Sequence, residues 1–116
     1  MTADQFRRLA LALPGAIESA HMGHPDFRAH GRIFATLHTG DRTGMVKVTP
    51  AEQAELIRQH KNMFEPSPGA WGRQGSTTVH LAEADAAVIR GALTMAWEAS
   101  ARKPARKPAR RRVSNA

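Results

Sequence analysis

Between Asp26 and Val48 the chain alternates apolar and polar residues with a period of two. Asp26-Phe27-Arg28-Ala29-His30 leads to Gly31, then Arg32-Ile33-Phe34-Ala35-Thr36-Leu37-His38, and after a polar loop comes Met45-Val46-Lys47-Val48. A period of two marks half-buried antiparallel strands. The alternation assigns Ile33, Ala35, Leu37, Val46 and Val48 to one face, and Arg28, His30, Arg32, Phe34, Thr36, His38, Met45 and Lys47 to the other. His30-Gly31 is short enough for a tight turn, with Gly31 able to take positive φ.

The flanking segments follow a helical period. Thr2 and Gln5 have capping-box spacing, and Phe6, Leu9, Ala10 and Leu13 form one stripe that ends at Pro14-Gly15. Ala16 to Met22 reads as an irregular first strand. Thr49-Pro50-Ala51-Glu52 combines a cap, a proline suited to the first helical turn and a reciprocal Glu. It predicts a second helix to Gln59 or His60 that buries Leu56 and Ile57. Residues 62–73 are rich in Pro and Gly and read as a loop. Ser76 to Leu81 alternates again, placing Thr78 and His80 with the second face named above. Glu83 and Asp85 introduce a last helix whose stripe is Val88, Ile89, Ala92, Leu93 and Ala96, with Trp97 at its edge. This order predicts an α+β fold, an antiparallel sheet with helices packed on one face. The other face is then open, with cations around a few apolar groups. Such a face is either an ordinary solvated surface or one that accepts a polyanion.

Composition sharpens the picture at one point. The 116 residues carry a net charge of +7. Yet residues 1–101 hold ten Lys/Arg and ten Asp/Glu, and the other seven of the 17 cations lie between Arg102 and Arg112. The division is therefore a near-neutral domain over 1–101 and a basic tail over 102–116. Arg-Lys-Pro-Ala occurs twice in tandem before Arg110-Arg111-Arg112. Prolines and like charges predict a disordered arm whose Arg102, Lys103, Arg106, Lys107, Arg110, Arg111 and Arg112 neutralise phosphates. If all seven engaged duplex DNA, the salt slope of log affinity would be about −6. A solubilising tail that meets any acidic partner, including RNA, is the plainer reading. Without cysteine there is no disulfide or thiolate metal site. A start lacking a basic n-region, and no apolar run near the ~20 residues of a membrane span, predict a cytoplasmic, nucleoid-compatible protein with no membrane partner, expected to be a monomer.

Candidate chemistry is thin. His21, His24, His30 and His38 have no ligand spacing that matches a metal site, so no cofactor is expected. Gly72-Arg73-Gln74-Gly75 precedes a strand, whereas a phosphate cradle opens a helix. Trp71 in its Pro/Gly-rich loop is either a core plug or a stacking surface, and the scarcity of other aromatics favours the plug. Ser67, Ser76 and the threonines lack a nucleophile elbow, and nothing argues for an enzyme.

Leu11-Ala12-Leu13-Pro14-Gly15, Gly23-His24-Pro25-Asp26-Phe27-Arg28, Gly31-Arg32-Ile33-Phe34-Ala35, Val46-Lys47-Val48-Thr49-Pro50 and Trp71-Gly72-Arg73 occur in that order. In this the chain resembles the MmcQ/YjbR family of small bacterial proteins, over about Met1 to Ala101. The resemblance implies a frataxin-like (CyaY-like) two-layer fold and a DNA-binding role by analogy with a double-wing sheet, with no established activity or cofactor. Two positions depart from the family: Ser76, where many members have an aromatic residue, and Ala96-Trp97, where many have Ser-Tyr. The iron chemistry of frataxin-like folds relies on an acidic first helix. Here that helix offers Asp4 beside Arg7 and Arg8, so iron is set aside.

Two functions follow, with a tail-driven chromosome-associated accessory protein, whose domain binds another protein, as a third. The first is a non-enzymatic DNA-binding protein of weak sequence preference, with Arg28, Arg32, Lys47 and Arg73 joined by the tail on phosphates. The second is a small-molecule binder linked to drug or metabolite tolerance, with a pocket around His24, Phe34, Lys47 and Trp71.

Overall fold

The computed structural model describes residues 1–38, 40 and 42–102. The tail positions Lys103, Arg106, Lys107, Arg110, Arg111 and Arg112 lie outside the described residues. Helix α1 (Ala3–Leu11) starts at a complete capping box, in which Thr2 Oγ1 accepts from the Gln5 amide while Gln5 Oε1 accepts from the Thr2 amide. Strands β1 (Ile17–His21), β2 (His24–Ala29), β3 (Arg32–His38) and β4 (Thr43–Lys47) follow as antiparallel neighbours. Helix α2 (Pro50–Gln59) begins at a second capping box, Thr49 with Glu52, and has Pro50 in its first turn. Strand β6 (Ser76–His80) completes the expected set, and a single 3-10 turn over Leu81–Glu83 leads into helix α4 (Ala86–Arg102).

The stretch read as a loop holds two further elements, β5 (Phe64–Pro66) and a short helix α3 (Gly69–Arg73). Three residues of strand and five of helix are too short for periodicity to register. The sheet order is β1-β2-β3-β4-β6-β5, antiparallel throughout. Helix α4 crosses β2, β3 and β4, α1 lies on α4 and β3, and α2 covers β5 and β6. Between these layers all four phenylalanines, Phe6, Phe27, Phe34 and Phe64, are buried with Leu37, Val46, Val79, Ile89 and Leu93.

The simple alternation of β3 fails at one residue. Phe27 pairs with Ala35, but Arg28 pairs with Ile33, so β3 carries one extra residue, Phe34. This is a β-bulge. Phe34 and Ala35 both turn into the core and are each 0 % exposed. Seating a Phe side chain there is worth roughly 1.5–3 kcal/mol relative to leaving it exposed. Beyond the bulge the parity inverts. Ile33 stands opposite Arg28 on the open face, and Arg32 stands opposite Ala29, whose side chain faces the helices. Phe34 and Arg32 therefore leave the face that strict alternation gave them, and Ile33 enters it.

The turn between β2 and β3 corrects a second placement. His30 and Gly31 both take positive φ, 58° and 75°, the pattern of a two-residue hairpin turn. That conformation directs His30 to the helix side, where Nδ1 lies 2.9 Å from Ser100 Oγ and the ring centroid lies 4.8 Å from that of Trp97.

Candidate functional site

The face turned away from the long helices carries three rows of side chains, read from the strand register. The first row is His21, His24, His38, Thr43 and His80. The second is Asp26, Thr36, Met45, Thr78 and Glu65. The third has Arg28 beside Ile33, and Lys47 beside Ser76. Cross-strand partners share a face and successive rows are about 6.6 Å apart, so the rows span roughly 13 Å along β4.

Over β3, β4 and β6 these rows floor an open groove of about 770 Å³. Its base is Thr36, Met45 and Thr78, with Ile33 at one margin. Pro66, Ser67 and Pro68 form a side wall, fixed by a 3.0 Å hydrogen bond between Ser67 Oγ and Thr78 Oγ1. Trp71 of α3 rises at the Lys47 end and is 64 % exposed. The Lys47 ammonium lies 5.9 Å from the indole centroid, a cation–π contact. Trp71 is thus no core plug; the four phenylalanines fill the interior and leave the indole on the rim.

Helix α3 holds that rim by backbone contacts that only glycine permits. A Cβ on Gly72 would stand 1.9 Å from the Ser67 carbonyl oxygen. A Cβ on Gly75, where φ is +111°, would stand 1.9 Å from the Val48 carbonyl oxygen. Gln53, buried on α2, reaches under the same segment. Its Nε2 donates to the carbonyls of Gly72 and Ser76, each at 2.9 Å, and approaches Thr77 Oγ1 at 3.2 Å. The Trp71-Gly72-Arg73-Gln74-Gly75 run packs on α2 through Gln53, leads into β6 and presents one aromatic side chain.

Beside the histidine row lies a buried carboxylate. Asp26 is 0 % exposed and accepts from Arg28 through Nε at 2.8 Å and Nη2 at 3.1 Å, and His21 Nδ1 lies 2.7 Å away. The Arg28 guanidinium holds the Asp26 carboxyl below the ordinary value of 3.8; burial opposes this and His21 adds to it. An ionised Asp26 accepts the Nδ1 proton of His21 and leaves Nε2 as the ring's second polar atom. Between the first and second rows Thr36 Oγ1 and His38 Nε2 are 3.1 Å apart, and His80 Nε2 is hydrogen bonded to Glu65.

The sequence-predicted phosphate contacts separate here. Arg28 is on the open face but bound to Asp26. Arg32 is on the opposite parity, at the margin of the helix side. Lys47 lines the groove with Trp71, and Arg73 is exposed at the end of α3. Arg102 ends α4, 3.8 Å from a Glu52 carboxylate oxygen. Of the pocket residues, Lys47 and Trp71 line the groove, His24 packs its ring 4.4 Å from that of His38, and Phe34 is in the core. His21, Ile33, Thr36 and His38 also line the groove. Parity in β3 above the bulge was enough to find Thr36 and His38; Ile33 required the bulge. Among the described residues no cluster of three or more His, Cys, Asp or Glu is arranged to hold a metal ion.

Among the described residues, six antiparallel strands with three helices on one side and a short fourth at the rim define an α+β protein with an open, concave sheet face. A family model described as YjbR matches residues 11–99. The chain therefore belongs to the YjbR family. It is also similar to the crystal structure of the Deinococcus radiodurans protein DR2400, which carries the family domain DUF419. The TM-score is 0.74 at 20 % identity, over 88 % of this chain and 80 % of that one, so the likeness is one of fold. No curated protein matches the chain.

Proposed function

We propose that the open sheet face is a binding groove for a small, largely apolar organic molecule. The observation that carries this reading is a groove of about 770 Å³ with Met45 at its base, Ile33 at its margin and an exposed indole at its rim. Ligand pockets commonly measure roughly 300–1,000 Å³ and combine apolar lining with a few polar groups that orient the ligand. Thr36, Thr78, His38 and Lys47 are such groups. A tryptophan left in water at the edge of a concavity supplies contact area with little conformational entropy to lose. A phosphate-binding role for this face has less support, because Arg28 is engaged by Asp26 and Arg32 belongs to the other side.

The test is a fragment screen of the full chain by saturation-transfer NMR, repeated with Met45→Arg. Met45 is only partly buried, so an arginine there fills the groove without entering the core. Fragments that bind the native chain and lose the effect in the variant support the reading. Fragments bound equally by both place the site elsewhere.

A second reading rests on composition. Seven cations between Arg102 and Arg112 favour association with DNA or another polyanion through the tail. Replacing the six from Lys103 to Arg112 by Gln in the full chain should abolish a DNA mobility shift at low salt. A shift that survives would return DNA binding to the globular part, with Lys47 and Arg73 as its candidates.

A further inference from the structure

The first row of the open face is a line of imidazoles. His21 on β1 is in register with His24 on β2, and the His24 ring lies 4.4 Å from His38 on β3. His38 pairs with Thr43 on β4, which pairs with His80 on β6. At about 4.8 Å between strands the line is roughly 19 Å long. It closes the end of the groove opposite Lys47 and Trp71.

The charges around this line are few. Among the described residues the strand register gives the face two carboxylates, Asp26 on β2 and Glu65 on β5, and two cations, Arg28 on β2 and Lys47 on β4. Asp26 is matched by Arg28, while Glu65 is hydrogen bonded to His80. Two charges of each sign cancel, so the net charge of the face is set by its histidines. Histidine is the side chain whose charge ordinarily changes between about pH 5 and 8. Adjacent imidazoles repel one another once protonated, and an anion laid across them relieves that repulsion.

We propose that the histidine line is the anion-recognising end of the groove. Its ligand is an apolar body seated on Met45 that carries one carboxylate, sulfonate or phosphate against His38, beside His24 at the middle of the line. This rests on the groove reading above and specifies the ligand's charge. Binding of such a ligand strengthens as pH falls, because protons bound with the ligand favour the complex. A neutral ligand of the same shape gains nothing.

The experiment uses the full chain and two fluorescent probes of similar shape, 1-anilinonaphthalene-8-sulfonate and the uncharged N-phenyl-1-naphthylamine, titrated at pH 8 and pH 6. The sulfonate is expected to bind about tenfold more tightly at pH 6, a linkage of half a proton per pH unit, with the neutral probe changing less than about twofold. His24→Gln/His38→Gln should lose most of that gap, with thermal unfolding checking that the variant is folded. Lys47→Met, roughly 13 Å away at the other end of the groove, should keep the gap. The tail's arginines and lysines do not titrate in this range, so they cannot create it. A gap that survives the histidine variant and vanishes in Lys47→Met overturns the assignment. So does a neutral probe that binds while the sulfonate gains nothing at pH 6, which leaves the groove itself standing. Failure of both probes to bind overturns the groove reading as well.

Discussion

Replacing Gln53 tests whether the Trp71 rim is held from beneath. In Gln53→Leu the side-chain volume is nearly kept, and the hydrogen bonds from Nε2 to the Gly72 and Ser76 carbonyls are lost. Neither carbonyl is orphaned. Gly72 O still accepts from the Gly75 amide at 3.1 Å, and Ser76 O from the Ser67 amide at 2.9 Å. Thr77 Oγ1 likewise keeps its own bond to Gly75 O. The cost is therefore the net value of two ordinary hydrogen bonds, about 2 kcal/mol, rather than the larger penalty of buried unpaired acceptors. For a domain of this size that lowers the melting temperature by roughly 8–16 °C. Gln53→Glu keeps the shape but turns a carboxylate toward two carbonyls, so it should cost more than the leucine variant. Urea unfolding followed by far-UV circular dichroism measures both. Amide exchange at Gln74 and Gly75, whose N–H groups bond back into α3, should quicken before the strands open. A neutral Gln53→Leu, or a Gln53→Glu as mild as the leucine, would show that α3 does not depend on this link.

Two further predictions concern the same framework. Gly75→Ala places a Cβ against the Val48 carbonyl at a φ that L-residues rarely adopt, and should destabilise by about 3 kcal/mol or more in chemical denaturation; a variant within 0.5 kcal/mol of the native chain would contradict that contact. The Asp26 carboxyl is held low by Arg28, so its folded-state value lies below its unfolded one. Its contribution is present above the ordinary 3.8 and is lost as pH falls through the lower folded value. Acid titration should show this loss below about pH 4, and Asp26→Asn should flatten that limb; an unchanged acid limb would mean the pair does not form.

Much of this architecture was legible in the residues. Thr49-Pro50-Ala51-Glu52 and Thr2 to Gln5 announced their helices because capping is local chemistry, and both capping boxes form. The α4 stripe of Ile89, Ala92, Leu93 and Ala96 is buried as its period implies. The misplacements of Phe34 and Trp71 were decided by tertiary packing that no local pattern encodes. Phe34 turns inward because a bulge offers it the core. Trp71 stays outside because the interior is already filled by phenylalanines. Arg28 is bound to Asp26 because residues two apart on a strand share a face, a pairing visible in the sequence once both are placed on it. The histidine row needed the register of five strands, which depends on turn geometry.

The central claim, that a small molecule seats on the open sheet face, is tested most directly by methionine-methyl NMR of the full chain labelled at its five methionines. Met45 lies in the groove and Met63 in the core, so one reports on the site and the other on the fold. Titration with an apolar organic anion such as 1-anilinonaphthalene-8-sulfonate should shift the Met45 methyl in a saturable way and leave Met63 in place. A saturable response at Met22 or Met95 with Met45 unmoved would contradict the account.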